Sequence, residues 1–277
     1  MVPVEEIHGA TIPKLGFGTW QLEGDTARDR VKDALDIGYR HIDTAQAYDN
    51  EEYVGAGIQE SGVARDDIWL TTKVWLDRFK QGDLEQSLRE SLVKLKTDTV
   101  DLALLHWPNH EVALKETIEA LNNAKREGLT RNIGISNFPT QWMGEAVELS
   151  EAPLIVNQVE FHPFIDQRPV LDACKKYGMG LTAYCPIAQA NVIGNDTIEK
   201  IADRHGKSAV QVALRWLIQQ DGVIAIPRSS SREHAASNFE IFDFELSDDE
   251  MAQIGALHTP DGRIVDPKWA PAWDTAA

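Results

Sequence analysis

The chain has 277 residues, 43% hydrophobic and 26% charged, with 19 glycines and 12 prolines, a composition that supplies a substantial core and excludes disorder, collagen and coiled coil. Lys and Arg number 27 against 44 Asp and Glu, a formal charge of −17, which disfavours general attraction to nucleic acid or to an anionic membrane. A bound anion would have to be met by local positive charge.

Met1 to His8 contain no basic segment followed by an apolar run, and nowhere do eighteen apolar residues follow one another, so a cytoplasmic protein without membrane spans is expected. Ile7 to Leu15 read as a short hairpin turning at Gly9, placed to plug one end of whatever follows. Strand-like runs then recur at 41–43, 68–73, 100–106, 131–136, 155–161, 180–184 and 222–227, with a weaker one at 239–242. Helical periodicity lies between them, at 27–37, 84–95, 112–124 and 208–218. Eight β-then-α units is the count that closes an α/β barrel of the (β/α)8 (TIM) type, here a single domain over residues 1–277. An open doubly wound sheet would show a glycine-rich turn opening a helix; no G-x-G-x-x-G occurs, and Gly16-Phe17-Gly18 runs into Thr19-Trp20. Cys174 and Cys185 make no disulfide framework and read as free thiols in a reducing compartment. The tail after Leu257 is a proline-rich loop whose Trp269 and Trp273 must cover something.

In such a barrel the reacting side chains stand at the carboxyl ends of the strands. The first predicted strand ends at Asp43 with Tyr48 just beyond, the second at Lys73 and the third at His106. Each alone has an ordinary explanation as a rim or loop residue. Together they suit carbonyl reduction, in which negative charge develops on oxygen and needs a proton donor and a fixed hydrogen-bond donor. Tyr48 would be the acid, Lys73 would lower its pKa, Asp43 would hold Lys73, and His106 would orient the carbonyl.

The run Gly38-Tyr39-Arg40-His41-Ile42-Asp43-Thr44-Ala45, followed by Glu51 and Val54-Gly55, resembles the first fingerprint of the aldo-keto reductase superfamily, and further blocks follow from Leu15 to Phe244. The bacterial members similar to 2,5-diketo-D-gluconate reductases are nearest. The resemblance implies an NAD(P)H-dependent alcohol oxidoreductase with Asp43, Tyr48, Lys73 and His106 as its tetrad. It further implies that Ser136, Asn137 and Gln158 hold the nicotinamide carboxamide, that Tyr184 stacks on the ring, and that Trp20, Trp75 and Trp107 wall the substrate pocket under a C-terminal loop. Arg228, Ser229, His234 and Asn238 fall in the segment for the adenosine phosphate, with Arg232 nearby. This chain departs there: Arg228 stands for a lysine, His234 for an arginine, Ser237 for a glutamate, and Cys185 for a serine. NADPH is the expected cofactor, with NADH open as a second one at a weaker discrimination than usual. The expected partner is a small carbonyl substrate, with no metal, nucleic acid or membrane and the chain a monomer. The competing readings are a nucleotide-binding redox sensor or scaffold with little turnover, and a barrel isomerase or aldolase forming a Schiff base at Lys73.

Overall fold

The computed structural model describes residues 2–274. The chain opens with an antiparallel hairpin, β1 (Val4–Ile7) and β2 (Ala10–Pro13). Its two-residue turn puts His8 and Gly9 at φ 49° and 82°, the left-handed pair whose twist suits a tight hairpin. Ile7, Ala10 and Ile12 pack on Trp69, Leu102, Leu104, Ile155, Val156 and Ile224, so the hairpin seals one end of the structure behind it.

Eight strands follow in parallel, each paired with its neighbour in the chain. They are β3 (Phe17–Gly18), β4 (His41–Asp43), β5 (Trp69–Val74), β6 (Val100–Leu105), β7 (Thr130–Ser136), β8 (Leu154–Glu160), β9 (Gly180–Tyr184) and β10 (Val223–Ala225). Between them run α1 (Gly24–Ile37), α2 (Glu51–Ser61), α3 (Asp83–Leu95), α4 (Leu114–Arg126), α5 (Thr140–Leu149), α6 (Arg168–Tyr177), and the pair α7 (Asp196–His205) and α8 (Ala209–Gln219). After β10 come α9 (Arg232–Phe239) and α10 (Asp248–Gly255). Parallel bridges from Leu15 to Ala225 and from Gly18 to Arg228, with Gly16 N donating to Ala225 O at 2.9 Å and Gly18 N to Pro227 O at 3.0 Å, bring the last strand against the first. Each residue of β5, β6 and β8 is buried, as befits strands covered by helices on one side and by barrel interior on the other. The helices answer with apolar stripes; α1 buries Ala27, Val31, Ala34 and Leu35, spaced along one face.

The count of eight is right but one member is not. Residues 239–242 form the end of α9 and a bend, where the Phe239 ring packs 4.8 Å from Tyr39 and 5.5 Å from Phe242. The missing strand is β3, which precedes every predicted barrel strand. Its two residues are too few for periodicity, but its flanking glycines mark it: a Cβ at Gly16 would lie 2.8 Å from the His41 ring, and one at Gly18 would lie 2.8 Å from Ile226 O. Those glycines let the seam of the barrel close. The two cysteines are free, as read, Cys174 in the core and Cys185 half-buried. No helix among the described residues is long and apolar enough to cross a membrane.

At the edge of the barrel, Glu250 links α10 to α7. It closes the capping box of α10, accepting from Ser247 N at 2.9 Å, and takes Arg204 Nη2 at 3.0 Å and His205 Nε2 at 3.1 Å. Burial works to raise its pKa, but the Ser247 amide, His205 and Arg204 outweigh it and bring it from 4.5 down to about 2. A depressed carboxylate stabilises the fold above its unfolded value and ceases to do so as pH falls through its folded one. Glu250→Gln should therefore melt lower than the parent at pH 7, and the gap should narrow between pH 4.5 and about 2. Thermal melts across that range check this; a gap that stays constant down to about pH 2 contradicts it.

Candidate active site

Alternation along β5 decides which way its polar residues face. Thr72 turns outward and donates to Glu51 Oε1 at 2.7 Å, while Lys73, fully buried, turns into the barrel. Its ammonium donates to Asp43 Oδ1 at 2.5 Å, to Thr44 O at 2.9 Å and to the Tyr48 hydroxyl at 3.3 Å. Asp43 ends β4, and Tyr48 stands on a turn of 3-10 helix at Gln46–Tyr48 just beyond it. Asp43 Oδ2 accepts from Gln158 Nε2 at 2.7 Å, so both oxygens of this buried carboxylate are held. His106 follows β6, its ring edge-on to Tyr48 at 5.6 Å and to Trp75 at 5.1 Å between centroids. The four rim residues singled out in the sequence thus converge.

Burial of Lys73 works against its charge, but Asp43, joined by Tyr48, more than offsets it and the ammonium titrates above its ordinary 10.5. The Tyr48 phenol differs from expectation. Burial raises its pKa and Asp43 adds to the rise, and together they outweigh the downward pull of Lys73, so the net direction is up from 10 and not down. The phenol is a protonated group at neutral pH. Burial, with the Lys73 charge, puts His106 well below 6.5 and leaves it neutral.

The residues expected at the nicotinamide form one network with this cluster. Ser136 Oγ donates to Gln158 O at 2.8 Å, and Asn137 Nδ2 donates to His106 O at 3.0 Å and to Ser136 Oγ at 3.1 Å. Tyr184 closes the chain by donating to Asn137 Oδ1 at 2.8 Å. Asn137 takes up the left-handed region, φ 62°, one step past β7, which a short amide side chain tolerates. Both amide hydrogens of Asn137 and the hydroxyl hydrogen of Ser136 are thereby engaged, so a carboxamide oxygen would be received by exchange for one of them. Gln158 keeps Oε1 as an acceptor.

A cleft of about 1630 Å³ runs from these residues to Arg228 and Ser229, before α9, and to His234 and Asn238 on it. Ser229 Oγ donates to Ser231 O at 2.7 Å, and Ser231 caps α9 by accepting from His234 N at 3.3 Å. Arg228 reaches back to Gln21 Oε1 at 3.2 Å. Arg232, expected to assist at a phosphate, instead bonds Asp33 on α1 with Asp36 beside it at 3.6 Å, and does not line the cleft. Cys185 does line it; burial pushes its thiol up to about 11, an unreactive state at neutral pH. The donors present, a guanidinium, serine hydroxyls and a capped helix start, suit a phosphate at this end.

At the other end Trp20, Trp75 and Trp107 border the cleft, and the tail supplies the aromatics that were to cover something: Trp269 meets Trp75 at 5.9 Å and Trp107 at 5.0 Å, and Trp273 meets Trp107 at 5.9 Å. Two supporting residues escaped the sequence reading. Gln46 donates to Ser87 and Ser91 Oγ and accepts from Trp75 N, each at 3.1 Å, bracing the turn that carries Tyr48. Glu160 holds the tail. Among the described residues no three His, Cys, Asp or Glu side chains group as a metal site.

Residues 14–259 match the aldo/keto reductase family. Methylglyoxal reductase DkgB of Salmonella typhi is 43% identical over 268 residues, 95% of this chain and 100% of that protein. A crystal structure assigned as a 2,5-diketo-D-gluconic acid reductase B has 47% identity and a TM-score of 0.98 over 99% of this chain and 98% of its own. An aldo-keto reductase of Bombyx mori in complex with NADP has 32% identity and a TM-score of 0.90, covering 97% and 96%. A closed parallel barrel with a buried Asp-Lys-Tyr-His cluster at the carboxyl ends of its strands, matched in sequence along nearly its whole length, belongs to the aldo/keto reductase family, and the chain is an NAD(P)H-dependent oxidoreductase that reduces carbonyl compounds.

Proposed function

We propose that the chain reduces small, uncharged aldehydes and ketones, 2-oxoaldehydes such as methylglyoxal among them, using NADPH in preference to NADH. The buried contact chain Asp43–Lys73–Tyr48 beside His106 is the observation that carries this reading. When bound, the cofactor supplies the hydride. Tyr48, protonated at neutral pH, gives its proton to the carbonyl oxygen as charge develops there. Lys73 at 3.3 Å stabilises the phenolate left behind, and Asp43 fixes Lys73. His106 is neutral, and with its proton on Nε2 the ring donates to the same oxygen. Trp75 and Trp107 wall the cleft beside these groups.

For the substrate, the two relatives differ in charge, since one acts on methylglyoxal and the other is assigned to a sugar acid. Next to Tyr48 and Trp75 the cleft carries Asp49, Asp77 and, from the tail, Asp266, while its nearby Arg78 already faces Glu90 at 3.7 Å. That balance favours an uncharged carbonyl. Arg228, Ser229 and the start of α9 support the NADPH preference, with His234 a weaker partner for phosphate than the arginine it replaces.

Four measurements test this. Tyr48→Phe should lower turnover at least about a hundredfold with cofactor affinity unchanged. The parent's reduction rate should stay level from about pH 6 to 9 and fall only above about 10, because Tyr48 must keep its proton and His106 has no titration near 6.5 to report; a midpoint inside that window contradicts the assignment. Fluorescence titrations should show Arg228→Ala losing NADPH and not NADH, and His234→Arg raising the discrimination about ten- to a hundredfold, the worth of one charge-assisted hydrogen bond. Equal losses for both cofactors in Arg228→Ala would refute phosphate reading. Finally, kcat/KM for methylglyoxal should exceed that for 2,5-diketo-D-gluconate by about tenfold or more; parity would remove the charge argument.

A further inference from the structure

Two residues beyond Gln158 on β8 stands Glu160, a carboxylate with no exposed surface and no part in the chemistry above. Its Oε1 accepts from His162 Nε2 at 2.8 Å and from Ile264 N at 2.7 Å, and its Oε2 accepts from Val265 N at 2.8 Å. His162, equally buried, accepts at Nδ1 from Phe164 N at 3.2 Å, which puts its ring proton on Nε2, toward Glu160. All three partners are donors. Two of them are successive backbone amides of the tail, more than a hundred positions away in sequence.

The residues that follow these amides shape the substrate end of the cleft. Ile264, Val265, Asp266, Pro267 and Trp269 line it, and Trp269, though 51% exposed, sets its ring edge-on to Trp75 and Trp107. The far end of the tail is tied to α5 by Thr140 N donating to Asp274 at 2.9 Å, and back to the tail's own start by Trp273 Nε1 donating to Asp266 at 2.8 Å. We propose that Glu160 is a positioning residue for the carbonyl substrate: it clasps residues 264 and 265 and so fixes where Trp269 stands over the pocket. This rests on the substrate end of the cleft being where we place it.

Glu160→Gln tests the clasp sharply, since an amide has one acceptor where three donors need two. With its oxygen in the Oε1 place, His162 and Ile264 stay bonded and Val265 N faces an amide nitrogen. Hydrogen exchange should show Val265 protection falling about tenfold or more, with Ile264 changed less. With phenylglyoxal as a probe that fills the aromatic end, KM should rise about five- to tenfold while kcat stays within about threefold and NADPH affinity holds, a split that general loosening of the barrel would not give. Trp269→Ala should raise KM similarly and leave both amides protected.

Unchanged Val265 protection in Glu160→Gln overturns the clasp, and lost protection with unchanged KM overturns the positioning role. Should Glu160→Gln not fold, the wild type decides: Ile264 and Val265 amides exchanging as fast as that of exposed Lys268 refute the clasp, and protected amides support it. Failure of the wild type to reduce phenylglyoxal would strike at the reading of the pocket alone, because the exchange signature needs no substrate.

Discussion

A lysine with no solvent exposure must keep its charge in a medium that disfavours it, and the top of the barrel is arranged around that requirement. Asp43 supplies the counter-charge at 2.5 Å, Thr44 O and the Tyr48 hydroxyl take the remaining ammonium hydrogens, and Gln158 holds the carboxylate's second oxygen. A buried pair of this sort is weak evidence for stability, because desolvation offsets much of the attraction, but removing one partner leaves an uncompensated charge. Its worth lies in what it does to the phenol. Burial alone would make Tyr48 a very weak acid; the ammonium beside it moderates that without reversing it. The balance suits a group that must hold its proton at neutral pH and release it only to a developing oxyanion.

The same hydrogen-bond web joins elements that sequence motifs treat as separate. Gln158 touches Asp43, Asn137 touches the His106 carbonyl, and Tyr184 is tied to Asn137, so the residues that would meet the cofactor also brace the residues that would meet the carbonyl. The ends of five strands, β4, β6, β7, β8 and β9, are fixed relative to one another by side chains at one rim. Preorganisation at this level is what lets a fixed set of donors favour a transition state over a ground state.

Much of this was legible in the sequence, for identifiable reasons. Asp43, Lys73 and His106 each end or follow an apolar run, and in a parallel barrel such positions face the rim, so polarity at the end of hydrophobicity was enough to find them. What could not be read depends on partners with no side-chain signature. Strand β3 has two residues and is visible only through glycines that let backbone approach backbone. Residues 239–242 had the aromatic and branched composition of a strand, but Phe239 was committed to covering Tyr39. Glu160 binds backbone amides, which any residue provides, and the pKa of Tyr48 depends on burial, which spacing does not report. Arg232 had the right charge in the right segment, and two aspartates on α1 claimed it.

The seam of the barrel has a temporal consequence. Gln21 and Arg228, which face each other across it, stand 207 positions apart, and the strand bearing Gly18 has no second neighbour until residues 225–228 exist. On a ribosome, most of the chain would emerge as an open curl with two raw edges, a state prone to unwanted strand pairing. The cleft straddles that seam, so a nucleotide bound where we propose would favour the finished ring over any partly wound intermediate, and cofactor levels would then bear on how many newly made chains reach maturity as well as on how fast mature ones turn over.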